Sequence, residues 1–151
     1  MKKFIFPLEK VLRFRTSLLE EEKNQLALLR QELHRIEDEI EDNERQLLES
    51  DLKMKEIAAK GTSILELNAM HFKIENTRKY IEGLKFSHRA QQKKVDKQLA
   101  VVLEATKDVN SLERLKEKQR AEYDEAAAKE ENLIISELVS SKYVREQEEN
   151  Q

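Results

Sequence analysis

The sequence predicts an all-α fold, a long antiparallel two-helix coiled coil closed into an α-hairpin, on three observations. Leu12, Leu19, Leu26, Leu33, Ile40, Leu47 and Met54 recur every seven residues without a miss. Charged residues make up 39% of the chain and aromatics 5%, with only two Gly and one Pro, too few turn formers for a sheet. A single clear interruption, Gly61-Thr62-Ser63, divides the pattern. A strict seven-residue repeat has a 3.5-residue period, so one narrow apolar seam faces a partner helix along a left-handed supercoil. A seam that narrow cannot wrap a globular core; it builds a rod. Disorder is the competing reading at a mean hydropathy of −0.79. Regular apolar spacing argues against it, because a disordered polar tract has no reason to hold a period.

Taken in order, Met1 to Phe6 carries two lysines and three apolar residues before Pro7, too short a run for a signal peptide. Pro7 suits the first turn of a helix, where its missing N–H costs nothing. Helix one is expected over about residues 8–60. Between its heptad leucines fall Leu29, Ile36 and Ile57, with polar Arg15, Glu22, Asn43 and Ser50. Arg15 and Asn43 read as register devices, since a polar group in the seam penalises slipped pairings. The bend is expected at about 61–63, with Gly61 as a C-terminal cap and Ser63 with Glu66 as a capping box. Helix two, about 64–140, carries Leu67, Met70, Ile74, Ile81, Leu84, Val95, Val102, Val109, Leu112, Tyr123, Ala126 and Leu133. Its seam is poorer, with His88, Gln91, Gln98, Lys116 and Gln119 at or near core positions. Gly83 weakens it locally, by about 1 kcal/mol relative to Ala. Residues 141–151 are read as a polar, frayed tail. The whole chain is one hairpin domain.

Two long helices joined by so short a connection lie antiparallel. With the bend at Thr62, facing residues have numbers summing to about 124, over a paired length of roughly 75–80 Å. Helix one runs out at Pro7 while helix two continues, leaving about 20 residues, ~30 Å, of overhang. Leu133, Ile134, Ile135, Leu138 and Val139 lie on it, a patch that soluble monomers usually reserve for a partner. Folding back, or pairing with a second copy, would also cover it.

The net charge of −3 implies no bulk attraction to nucleic acid or membrane. Locally the balance swings: Lys73 to Lys97 holds eight basic and three acidic residues, Arg120 to Gln151 four basic and nine acidic. The basic stretch reads as a solvated face or a dock for an acidic partner. With only Tyr80 and Phe86 interspersed, it lacks the stacking platform of a nucleic-acid reader. Without cysteine, disulfides and thiolate metal sites are excluded. No stretch approaches a membrane span, and a cytoplasmic location is expected. Two glycines twenty-two residues apart cannot make a phosphate loop. His34 and His88 can meet across the hairpin, but two ligands on a solvated rod make a poor metal site. Carboxylates on an exposed coiled coil have no pocket to tune them. Neither an enzyme nor a cofactor is expected.

Two local patterns exceed generic coiled coil. One is Phe4-Ile5-Phe6-Pro7-Leu8-Glu9-Lys10-Val11-Leu12-Arg13-Phe14-Arg15, followed by Glu20-Glu21-Glu22-Lys23. The other is Leu112-Glu113-Arg114-Leu115-Lys116-Glu117-Lys118-Gln119, then Glu122-Tyr123, Lys129-Glu130-Glu131 and Glu137. With the length and the break at Gly61, the chain resembles the flagellar type III export protein family FliJ. The resemblance implies an antiparallel coiled coil like the rotor stalk of rotary ATPases, standing in the pore of the hexameric flagellar export ATPase. Its far end would reach the membrane-embedded export gate, and escort chaperones of export substrates would be further partners. By this analogy the end bearing both termini enters the ring, with Phe4, Phe6, Leu8, Phe14, Leu133, Ile134, Ile135, Leu138 and Val139 as candidate contacts. Phe72, Tyr80 and Leu84 are candidate contacts for the gate. A stalk of this kind would sit in the cytoplasm, at the membrane beneath the flagellar base. A substrate-escorting chaperone or adaptor, its weak second seam accepting a third helix, is an alternative reading. A generic cytoskeletal or spacer coiled coil is another.

Overall fold

The computed structural model describes residues 2–150. It contains two helices, α1 (Glu9–Lys60) and α2 (Ile64–Glu149), packed against each other as an all-α hairpin, with no strand among the described residues. Pro7 lies just outside α1. It sits in a turn closed by the Glu9 N–H on the Phe6 carbonyl at 3.1 Å, and the Leu8 carbonyl accepts the first helical bond, from Leu12 N–H, at 2.9 Å. Proline's fixed φ suits such a turn. α2 runs on to Glu149, past the expected end near 140. The stretch contains no Gly or Pro to stop it, and the Gln147 amide donates to the Tyr143 hydroxyl one turn back at 2.9 Å.

The reversal between the helices is local chemistry. Gly61 has φ +91°, a left-handed conformation that glycine adopts without steric cost, and its N–H closes on the Ala58 carbonyl. Ser63 Oγ accepts the Glu66 N–H at 3.2 Å, the N-cap bond that starts α2. Glu66 does not close the expected box; its carboxylate takes the hydroxyl proton of Thr62 instead.

The chain divides into two compact units, one joining the chain up to Leu19 with Glu104 onward, the other spanning Glu20–Leu103. In the second unit Leu26, Leu33 and Ile36 of α1 and Ile74, Ile81, Leu84, Val95 and Val102 of α2 are buried. Ile40, Leu47, Met54 and Ile57 are half-buried, so the heptad thins toward the bend without leaving its face. In the first unit the buried apolar residues are Phe6, Leu12, Leu19 and Val109.

Polar groups in the seam are satisfied across it. Gln91, the one buried polar residue among those described, donates its amide to the Leu29 carbonyl of α1 at 3.0 Å. Gln98 does the same to the Glu22 carbonyl at 3.0 Å, and also reaches the Glu22 carboxylate. These glutamines, which looked like seam defects, tie α2 to the α1 backbone; no described side-chain polar atom is buried without a partner. Asn43 corrects the expectation made for it. Its amide donates to Glu39 of its own helix at 2.7 Å, because so short a side chain finds the carbonyl four residues back. Arg15 does cross, lying 3.7 Å from Asp108, and Lys116 meets Glu9 at 2.9 Å within the same unit.

Leu33, 7% exposed in the seam, sets the scale of the packing. Leu33→Ala is expected to cost about 2–4 kcal/mol. Thermal or urea unfolding followed by far-ultraviolet circular dichroism checks it.

Candidate functional site

With no enclosed core, function must reside on exposed side chains. The first unit presents two such features, the leading segment and the free end of α2.

The segment before α1 is not loose. Phe4 packs on Tyr123 with ring centroids 5.5 Å apart, and the Arg120 guanidinium lies 5.2 Å from the Phe4 ring, within cation–π range. The Tyr123 hydroxyl donates to the Lys2 carbonyl. Phe6 is buried at 4% and fills the seam position before Leu12. Phe4 and Phe6 thus act inward, extending α1's packing along α2 to Tyr123. Ile5 at 78% and Phe14 at 63% exposure point to solvent, and Leu8 is partly exposed. A shallow groove of about 820 Å³ lies here, its lining including Lys3, Phe4, Glu9, Arg13 and Arg120.

Beyond Ala127 every described residue of α2 is exposed. Leu133, Ile134, Ile135, Leu138 and Val139 are 51–65% exposed, and Tyr143 and Val144 join them. At 100° per residue these do not fall in one stripe: Leu133 and Val144 share one side, Ile134 and Leu138 a second, Ile135 and Val139 a third. A helix apolar on all sides is the pattern of a helix that something surrounds.

In the second unit the three residues expected to meet the export gate fare differently. Leu84 is buried at 8% in the seam, so its side chain is committed to α1. Tyr80 is half-exposed, and its hydroxyl donates to the Glu39 carboxylate, which raises the phenol's pKa. Phe72 is exposed at 68%, and so is Phe86, with the Arg89 guanidinium 6.0 Å from its ring. Phe72, Lys79, Phe86 and Lys93 recur every seven residues, each five places after a seam position, and so line the side of α2 away from α1. The same seven-residue count that reveals the seam would have found this row.

His34 and His88 do converge, but on a carboxylate. Glu37 lies 3.4 Å from His34 Nδ1 and 3.0 Å from His88 Nε2. The His88 hydrogen bond holds the Glu37 carboxyl below its ordinary value of 4.5. Glu32 is likewise lowered, by its hydrogen bond to Arg35, whose own pKa is raised. Among the described residues no group of three potential ligands is placed to hold a metal, and no helix is long and apolar enough to cross a membrane.

The family model described as "Flagellar FliJ protein" matches residues 3–148. No curated protein and no solved structure matches the chain.

Two outcomes follow from the geometry. Phe4→Ala should release residues 2–8 from Tyr123 and Arg120, with amide exchange there rising about tenfold while the α1 seam stays protected. A depressed carboxylate stabilises the fold above its unfolded pKa and loses that contribution as pH falls through the folded value. Glu37→Gln should therefore lower stability slightly at neutral pH, where the carboxylate is ionised, and converge with the unmutated chain as pH falls below the ordinary value of 4.5, giving a flatter acid limb. Denaturant titrations across pH 3 to 7 measure it.

Proposed function

This chain belongs to the FliJ family and is a flagellar, export-related protein, and from that premise we propose that it is a noncatalytic stalk of the flagellar type III export apparatus. Its free α2 end enters the pore of the hexameric export ATPase, and the unit containing the bend links that ring to the membrane export gate. It acts in the cytoplasm beneath the flagellar base.

The observation that carries this reading is the free end of α2. Its apolar residues stand on every side of the helix, which suits a socket that encloses it rather than a groove that takes one face. Side chains in such a socket would bias the ring between states through differential affinity, with no chemistry on the stalk itself. The ring contacts are Leu133, Ile134, Ile135, Leu138 and Val139, with Ile5, Leu8 and Phe14 of the leading segment as outer contacts. Phe4 and Phe6 support that end from within. On the gate side Phe72 and Tyr80 remain as contacts, Phe86 joins them, and Leu84 drops out because its side chain is buried. An adaptor that escorts substrate chaperones would use the same outward aromatics. In the seam that such an adaptor would open, Gln91 and Gln98 are hydrogen-bonded to the α1 backbone.

The test is an ATPase assay with the cognate ring. The full chain alone should turn over no ATP yet raise the ring's rate severalfold. A chain ending at Asn132 should lose that stimulation while melting like the full chain, since every described residue it removes is exposed. Stimulation surviving the truncation would sink the pore-insertion reading.

A further inference from the structure

In a chain that is 39% charged, residues 57–65 at the bend carry a single charged side chain, Lys60. Ile64 and Leu65, which open α2, are 77% and 81% exposed, more than any other large apolar residue of the unit Glu20–Leu103. The reversal does not call for them, since Gly61 and Ser63 already make it. Phe72 lies seven residues beyond Leu65, on the same face of α2, and is exposed as well.

The charges stand back from this apolar end. Lys60 turns along α1, away from the bend, to meet Glu56 at 3.2 Å. Lys55 and Lys53 lie roughly 8 and 11 Å along α1 from its last residue, and Lys73 roughly 14 Å along α2 from its first. None of these three has an ion-pair partner among the described residues. Lys53 and Lys73 line one cleft between the helices, about 430 Å³, with Ile57, Met70 and Ile74. Glu66 lines it too, its carboxylate accepting the hydroxyl proton of Thr62. From Leu52 to Lys73 the balance is four basic residues to two acidic. An apolar tip with cations set behind it matches the layering of an anionic bilayer surface. Apolar groups settle roughly 5–10 Å into the boundary between headgroups and acyl chains, and lysines behind them meet the headgroup phosphates.

We propose that the bend is a contact for an anionic lipid surface, with Ile64 and Leu65 at the headgroup–acyl boundary and Lys53, Lys55 and Lys73 on the headgroups. The contact is interfacial and not a span, since no described helix is long and apolar enough to cross a membrane. It needs neither a ring nor a gate, so it stands or falls apart from the stalk reading.

Flotation with protein-free vesicles tests it. The full chain should float with phosphatidylcholine mixed with phosphatidylglycerol and not with phosphatidylcholine alone, and added salt should weaken binding. Ile64→Ser with Leu65→Ser keeps the charge and should cut partitioning at least tenfold. Melting should hold, because both side chains are exposed. Lys53→Gln, Lys55→Gln and Lys73→Gln together should also cut it at least tenfold, at about fivefold per lysine. The chain has no Trp, so Leu65→Trp reports depth on its own. Its emission should shift to the blue and be quenched by brominated acyl chains, whereas Leu28→Trp, ~48 Å along α1 from the bend, should do neither. Failure to bind the anionic vesicles, or equal binding to the neutral ones, overturns the proposal. So does binding that survives the serine pair, which would place the contact elsewhere on the chain, or Leu65→Trp emission that stays that of an indole in water.

Discussion

The structure depends on one narrow contact, the apolar stripe of α1 laid against that of α2. Each helix contributes side chains at alternating steps of three and four residues, and no third layer backs them. Burial is correspondingly modest: the core residues are 3–8% exposed, and no large side chain is sealed completely. Stability therefore accumulates along the seam rather than around a centre, and polar side chains are tolerated in it where they find partners. Gln91 and Gln98 illustrate the point. Each fills a seam position that would otherwise hold an aliphatic, and each bonds to a backbone carbonyl of the facing helix. The net contribution of such a bond is modest, about 1 kcal/mol, but leaving the amide unpaired would cost more. Their role is to make one alignment of the two helices better than its neighbours.

The same constraint explains where interaction surfaces arise. A helix that spends only two of every seven residues on its partner has five left over. Most of these are charged and solvated, held by pairs along one helix such as Arg35 with Glu32 and Glu39. The exceptions are informative because nothing within the chain requires them. Phe72 and Phe86 stand outward where lysine or glutamate would serve the fold equally well, and Leu133 to Val144 stand on a helix with no seam to join. Apolar groups that packing does not use are candidates for use by another molecule.

The leading segment shows how a short stretch can alter an interface without adding regular structure. Proline ends the helical run, yet Phe6 keeps the seam going and Phe4 reaches Tyr123 and Arg120. The covered part of α2 is thereby longer than α1 alone would cover. Every described residue after Ala127 is exposed.

Much of this was legible in the sequence because coiled coils encode packing in a period. The heptad of α1, the antiparallel return, the glycine at the bend and the unpaired apolar end all follow from spacing, composition and cap chemistry. What spacing cannot convey is the destination of an individual side chain. Leu84 and Phe86 are two residues apart in one basic stretch, yet one is buried against α1 and the other exposed, since two steps along a helix turn the direction by 200°. Phe4 and Phe6 looked like surface bulk, but the turn at Pro7 directs them onto α2. Asn43 chose its own backbone over the facing helix, and the two histidines met on a carboxylate rather than a metal. Periodicity, composition and the cap residues at the bend determined by themselves that the chain is a hairpin of two helices and which stripe of α1 is buried. The tertiary structure decided which polar groups cross the seam and which aromatics face outward, because those outcomes depend on distances of a few ångströms between residues far apart in the chain.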